Sequence, residues 1–115
     1  MEWIIILAIV AFIVWRMMPS KGVSSISMGD LKSKLSDKNA QFVDVRTPGE
    51  YKGRHIKEFK NMPLDQLPSK LGQLDKEKET YVICQSGMRS SRAASILKKA
   101  GFTNVVNVRG GMSQW

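Results

Sequence analysis

Thr80-Tyr81-Val82-Ile83-Cys84-Gln85-Ser86-Gly87-Met88-Arg89-Ser90 contains the only cysteine of the chain, and its reading decides the fold. Thr80 to Ile83 is a β-branched and aromatic run that reads as a short buried strand of a parallel sheet, although periodicity alone does not separate such a run from a helix. Beyond the loop, Ala93, Ile96, Leu97 and Ala100 return at helical spacing, and Gly101 follows Lys98 and Lys99 as a helix-terminating glycine does. The cysteine therefore ends a strand and the serines open a helix. Ligands of open α/β sheets gather at the carboxyl ends of strands, and a helix start offers unpaired N–H groups to an anion.

That placement sets the chemistry. A thiolate is the nucleophilic form of cysteine, and N–H groups, a helix N-terminus and a nearby Arg89 all favour it. Cys84 is expected to ionise easily and to attack without a general base. The competing reading is a buried structural thiol, a common fate of free cysteine. A core cysteine does not require Gly87 and Arg89 in a loop behind it, so the reactive reading is preferred.

The rest of the sequence bounds the possibilities. A chain of 115 residues, 43% hydrophobic, fits one domain. Glu2 and Arg16 cancel near the N-terminus, so the whole formal charge of +8 falls on residues 17–115, where it suits an anionic substrate or an anionic membrane surface. Nucleic acid is not expected as a partner, because the lysines are scattered and no basic run with interleaved aromatics occurs. One cysteine excludes an internal disulfide and an internal resolving thiol. His55 is the sole histidine, and with one distant cysteine it makes no metal-ligand set, so a structural role at a turn is expected for it. No metal or cofactor is implied.

Trp3 to Trp15 is uninterrupted and apolar. As a helix those residues reach only about 20 Å, and counting Met1, Met17 and Met18, with Arg16 snorkelling, brings the stretch near the lower limit for a membrane span. A secretory signal needs positive charge before the run and small residues after it, whereas Glu2 precedes and Arg16-Met17-Met18-Pro19 follows. A core helix would be amphipathic. The reading is a transmembrane anchor over residues 1–18, a polar linker over 19–22, and a domain over 23–115 that faces the cytoplasm because Arg16 and Lys21 flank its side.

Within the domain, Ser24-Ser25-Ile26 reads as an edge strand, and Ser27 with Asp30 as a helix start. Gln41 to Val45 reads as a central strand. Thr47-Pro48-Gly49-Glu50 has the pattern of a capping box with proline at the first helical position, which gives Glu50 a structural role. Leu64, Leu67, Leu71 and Leu74 suggest a helix that Pro68 divides into two short pieces, with Leu64 to Leu67 as a turn. Asn104 to Val108 reads as the last strand, followed by a turn from Gly110-Gly111 to Trp115, whose ring is expected on the sheet face. The alternation implies an α/β fold, a mostly parallel five-stranded sheet with helices on both faces.

The catalytic loop and its flanks resemble the active-site loop of the rhodanese (thiosulfate sulfurtransferase) family. Val43-Asp44-Val45-Arg46 with Glu50-Tyr51, then His55-Ile56, Asn61-Met62-Pro63, Gly101-Phe102, Val105 to Val108, and Gly110-Gly111 with Trp115 fall in that family's order. The likeness covers residues 23–115; its single pieces are weak and the ordered set is strong. Arg54 stands where a glycine commonly precedes His55, and Glu58-Phe59 where a Gly-Ala pair is common. The resemblance implies sulfur transfer through a persulfide on Cys84, from thiosulfate or another small anionic sulfane donor to a thiol or protein thiol. It further implies that Gln85, Ser86, Gly87, Met88, Arg89 and Ser90 form the substrate cradle, with Arg89 aiding donor binding. Asp44 and Arg46 lie beside the site, where an ion-pair network that holds loops is preferred to direct catalysis. The alternatives are a cysteine phosphatase or arsenate reductase, whose cysteine and arginine are separated by five residues rather than the four here, and a non-catalytic membrane-tethered binding module.

Overall fold

The computed structural model describes residues 2–17 and 23–115. Five strands, β1 (Val23–Ile26), β2 (Ala40–Asp44), β3 (Lys60–Asn61), β4 (Glu79–Ile83) and β5 (Val105–Val108), form one sheet in the order β1-β5-β4-β2-β3. All four neighbouring pairs run parallel. The helices are α1 (Glu2–Met17), α2 (Met28–Lys32), α3 (Pro48–Gly53), α4 (Leu67–Lys70) and α5 (Met88–Lys99). The strand order puts β4, which leads into Cys84, in the middle of the sheet.

Strands buried on both faces need apolar side chains on both, and their alternation divides those side chains between two cores. Val43, Val45, Val82, Cys84 and Val105 pack with Leu67 of α4 and with Ala93, Ala94 and Leu97 of α5. Phe42, Tyr81, Ile83, Val106 and Val108 turn the other way, against Met28 and Leu31 of α2 and against Ile56, Phe59 and Met112. The parity of β4 thus delivers Cys84 to the α5 face.

Local signals fix the helix ends. Ser27 Oγ accepts the Asp30 N–H at 3.2 Å to start α2. Thr47 and Glu50 form the reciprocal capping box of α3, with Pro48 in its first turn. Gly101, at φ +98°, takes the left-handed conformation that closes α5.

Several expectations shift. β2 spans Ala40–Asp44 and β5 Val105–Val108, each displaced slightly from its reading. The leucine stretch is broken into short pieces as read: a turn over 64–66, then α4 with Pro68 in its first turn, which tightens into a 3-10 turn over Leu71–Gln73. Trp115 is 38% exposed rather than packed on the sheet face, and the Lys32 ammonium lies over its ring at 5.5 Å. Arg54, at φ −166°, is extended, so the position where the resemblance leads one to expect glycine needs no left-handed residue here.

The transmembrane span expected over residues 1–18 is not supported among the described residues. α1 has 16 residues, about 24 Å of helix against a hydrocarbon core of about 30 Å. Among the described residues no helix is long and apolar enough to cross a membrane. Met1, Met18 and the linker 19–22 lie outside the described residues. Residues 2–13 of α1 are all exposed.

Candidate active site

Cys84 follows β4 directly, and the chain reverses through Gln85-Ser86-Gly87 into α5. Gly87 makes the turn possible: it is the N-cap of α5 at φ +105°, a conformation L side chains rarely adopt. The reversal aims N–H groups back at the sulfur. Gly87 N–H donates to Cys84 Sγ at 2.9 Å, and Ser90 Oγ stands 3.4 Å from the same atom.

The electrostatics follow from these contacts. Burial pushes the Cys84 thiol up, but the Ser90 hydroxyl and the backbone N–H groups of Ser90, Gly87 and Ser86 outweigh it, and the pKa falls below the usual thiol value. Gln85, Ser86 and Met88 are exposed around the loop, whereas Cys84 and Ser90 are buried.

The start of the loop is pinned from behind by a 3-10 turn over Gly111–Gln114. Met112 N–H donates to Cys84 O at 2.8 Å, and Ser113 N–H to Gln85 O at 3.0 Å.

Arg89 has a carboxylate partner. Its guanidinium is held fork to fork by Glu50, with Nη1 to Oε1 at 2.6 Å and Nη2 to Oε2 at 2.9 Å. It feels the Cys84 charge, but the contacts that favour the thiolate come from Ser90 and the backbone. The Arg89 pair pulls the Glu50 carboxyl down to about 2. The sequence assigned Glu50 only its cap; the second carboxylate task, tying α3 to the catalytic loop, was missed.

Asp44 and Arg46 are a buried ion pair at 2.8 Å. Arg46 also donates to Glu50 O at 3.3 Å and Arg54 O at 2.6 Å, so the pair knits the loops after β2 together. Asp44 lies beside Ile83 in the β2–β4 register, one residue from the nucleophile. Asn61 Nδ2 reaches Asp44 O and Arg46 O and fastens β3 to the same corner. His55 stacks on Tyr51 and its Nδ1 sits 2.7 Å from Tyr51 O, a turn-holding role. A hollow of about 380 Å³ is lined by Val45, Thr47, Pro63, Leu64, Asp65, Arg89 and Arg92. Arg92 was not singled out in the sequence, although it lies three residues after Arg89 on the same helix face.

A buried, hydrogen-bonded thiol sits at the central strand end of a parallel α/β sheet and faces a helix N-terminus. The chain belongs to the rhodanese-like domain family, whose model matches residues 27–115. It is 41% identical over 78 residues to "Uncharacterized protein YqhL" of Bacillus subtilis, covering 68% of this chain and 62% of that one, so it spans less than two thirds of that relative's length. It is 31% identical over 90 residues to "Thiosulfate sulfurtransferase GlpE" of Shewanella oneidensis, covering 78% and 89% of the two chains. Its structure resembles that of a rhodanese-like domain protein from Staphylococcus aureus, with a TM-score of 0.74 at 38% identity over 80% of this chain and 90% of that one.

Proposed function

We propose that the protein is a sulfurtransferase that carries sulfane sulfur as a persulfide on Cys84. The observation that carries this reading is the sulfur's position, 2.9 Å from the Gly87 N–H and 3.4 Å from the Ser90 hydroxyl at the start of α5. Family membership and a relative named as a sulfurtransferase support sulfur transfer in general. Thiosulfate as the donor is our own extension.

In the first step the Cys84 thiolate attacks the outer sulfur of thiosulfate. A new S–S bond forms, the donor's S–S bond breaks, and sulfite leaves with the bonding pair. The loop N–H groups and the Ser90 hydroxyl stabilise negative charge on the bound sulfur. An acceptor thiolate then attacks the outer persulfide sulfur and Cys84 leaves as the thiolate. The hollow lined by Arg89 and Arg92, two cations against the one carboxylate of Asp65, supports a small anionic donor. Glu50 and the Asp44–Arg46 pair hold the loops that shape it.

Cys84→Ser tests this reading, because a hydroxyl is far less acidic and holds no persulfide. Transfer from thiosulfate to cyanide or a thiol should fall to background with the fold intact. Retained transfer would overturn the reading, as would Cys84-dependent hydrolysis of an aryl phosphate with thiosulfate left untouched.

For α1 we propose membrane attachment, with the domain on the cytoplasmic side. The exposed apolar side chains of residues 2–13 support the attachment.

A further inference from the structure

Val106 and Val108 turn to the α2 face, so strand alternation sends Asn107 of β5 toward α5. There its amide meets two serines of the first helical turn. Ser90 Oγ is 2.5 Å from Oδ1, and Nδ2 is 3.0 Å from Ser91 Oγ. Ser90 Oγ also lies 3.4 Å from Cys84 Sγ, and Ser91 Oγ lies 2.9 Å from Gly87 O.

Counting protons constrains this chain, because each hydroxyl has one to give. While Cys84 is a thiol, S–H donates to Ser90 Oγ and Ser90 O–H donates to Asn107 Oδ1. Asn107 N–H then donates to Ser91 Oγ, and Ser91 O–H to Gly87 O. Every donor then has a distinct acceptor; Gly87 O, which lies 3.1 Å from Ser90 Oγ as well, is taken by Ser91 O–H at 2.9 Å, and the shorter 2.5 Å contact directs the Ser90 proton to Asn107 Oδ1. When the thiol ionises, the sulfur only accepts, and the Ser90 proton points at it. Asn107 Oδ1 is then left 2.5 Å from a Ser90 lone pair. A half-turn of the amide resolves the clash at the same heavy-atom positions: Nδ2 donates to Ser90 Oγ, and Oδ1 accepts from Ser91 O–H.

We propose that Asn107 is a positioning residue of the site, whose side-chain amide turns over when the Cys84 sulfur becomes an anion and thereby directs the Ser90 hydroxyl onto that sulfur. A donor behind the hydroxyl polarises it and strengthens its bond to the anion. The other charged and donor groups near the loop have fixed partners: Gly87 N–H bonds the sulfur itself, Arg89 of α5 is held by Glu50 of α3, and Asp44 at the end of β2 pairs with Arg46. The inference rests on Cys84 being the reactive thiol, but ionisation is read without any sulfur donor, so it stands or falls separately from sulfur transfer.

The test uses the full-length chain. The Asn107 side-chain amide resonances, followed by nuclear magnetic resonance across pH, should titrate with the midpoint of the Cys84 thiolate absorbance. In Cys84→Ser they should not move in that range. Asn107→Leu should weaken Cys84 ionisation about tenfold, the scale of one charge-assisted hydrogen bond. In a Ser90→Ala background the same change should have no further effect. A flat amide signal through the thiol titration would overturn the proposal, and so would an Asn107→Leu effect of equal size with and without Ser90. If Asn107→Leu does not fold, the titration of the unmodified chain decides alone.

Discussion

A Cβ on Gly111 would lie 2.1 Å from the carbonyl oxygen of Cys84 and 2.9 Å from its carbonyl carbon. The C-terminal turn therefore approaches the catalytic loop as closely as backbone allows, at a residue whose φ of +55° also disfavours a side chain. Gly111→Ala should move the loop, cost about 1–3 kcal/mol in urea unfolding, and lower sulfur transfer by tenfold or more, on the order expected for a misplaced nucleophile. Gly53→Ala is the matched control, since a Cβ there meets nothing within 4 Å. Equal behaviour of the two variants would contradict the contact.

The Glu50–Arg89 pair makes a prediction about acid. The Glu50 carboxyl lies at about 2, against an ordinary value of 4.5. Its contribution is therefore complete above about pH 4.5 and is lost as pH falls toward 2. Both side chains are about a third exposed, so solvent screening holds that contribution below about 1 kcal/mol. Glu50→Gln keeps the capping box and loses the charge. Urea unfolding should show the variant slightly weaker at neutral pH, with the gap closing in strong acid. A gap that persists there would mean the carboxylate acts through something other than its charge.

Thiol reactivity gives the third prediction. The Cys84 pKa lies below the ordinary 9.0, so alkylation by iodoacetamide should rise with pH and level off earlier than for a free cysteine. Ser90→Ala removes the largest contact that favours the anion, and the plateau should move to higher pH. An unshifted profile would assign the thiolate to the backbone alone.

What the sequence made legible, and what it hid, follows from the range of the interactions. Val82-Ile83 and Val105-Val106 announce strands because both faces of the sheet are buried, and Thr47-Pro48-Gly49-Glu50 announces a helix start because the cap is local. Cys84 stood out through its neighbours Gly87 and Arg89. The partner of Arg89 was hidden, because Glu50 lies 39 residues away and already had a sufficient local task. Asn107 was hidden inside a strand that reads as core, and only the fold brings it to Ser90. At α1 apolar composition suggested a span, whereas among the described residues no helix is long and apolar enough to cross a membrane.

Membrane attachment through α1 predicts that the full chain sediments with membranes and needs detergent for release, whereas residues 23–115 alone stay in the supernatant. In intact cells, external protease should spare the domain. Release of the full chain by buffer alone, or digestion of the domain from outside, would contradict the attachment or its sidedness.

The central claim is that Cys84 itself carries the sulfur. Its most direct measurement is mass spectrometry of the protein after exposure to thiosulfate, read at the peptide containing Cys84. The account predicts the gain of one sulfur atom on that peptide, removed by a subsequent thiol acceptor and absent in Cys84→Ser. An unmodified Cys84 peptide in a preparation that is actively transferring sulfur would contradict it.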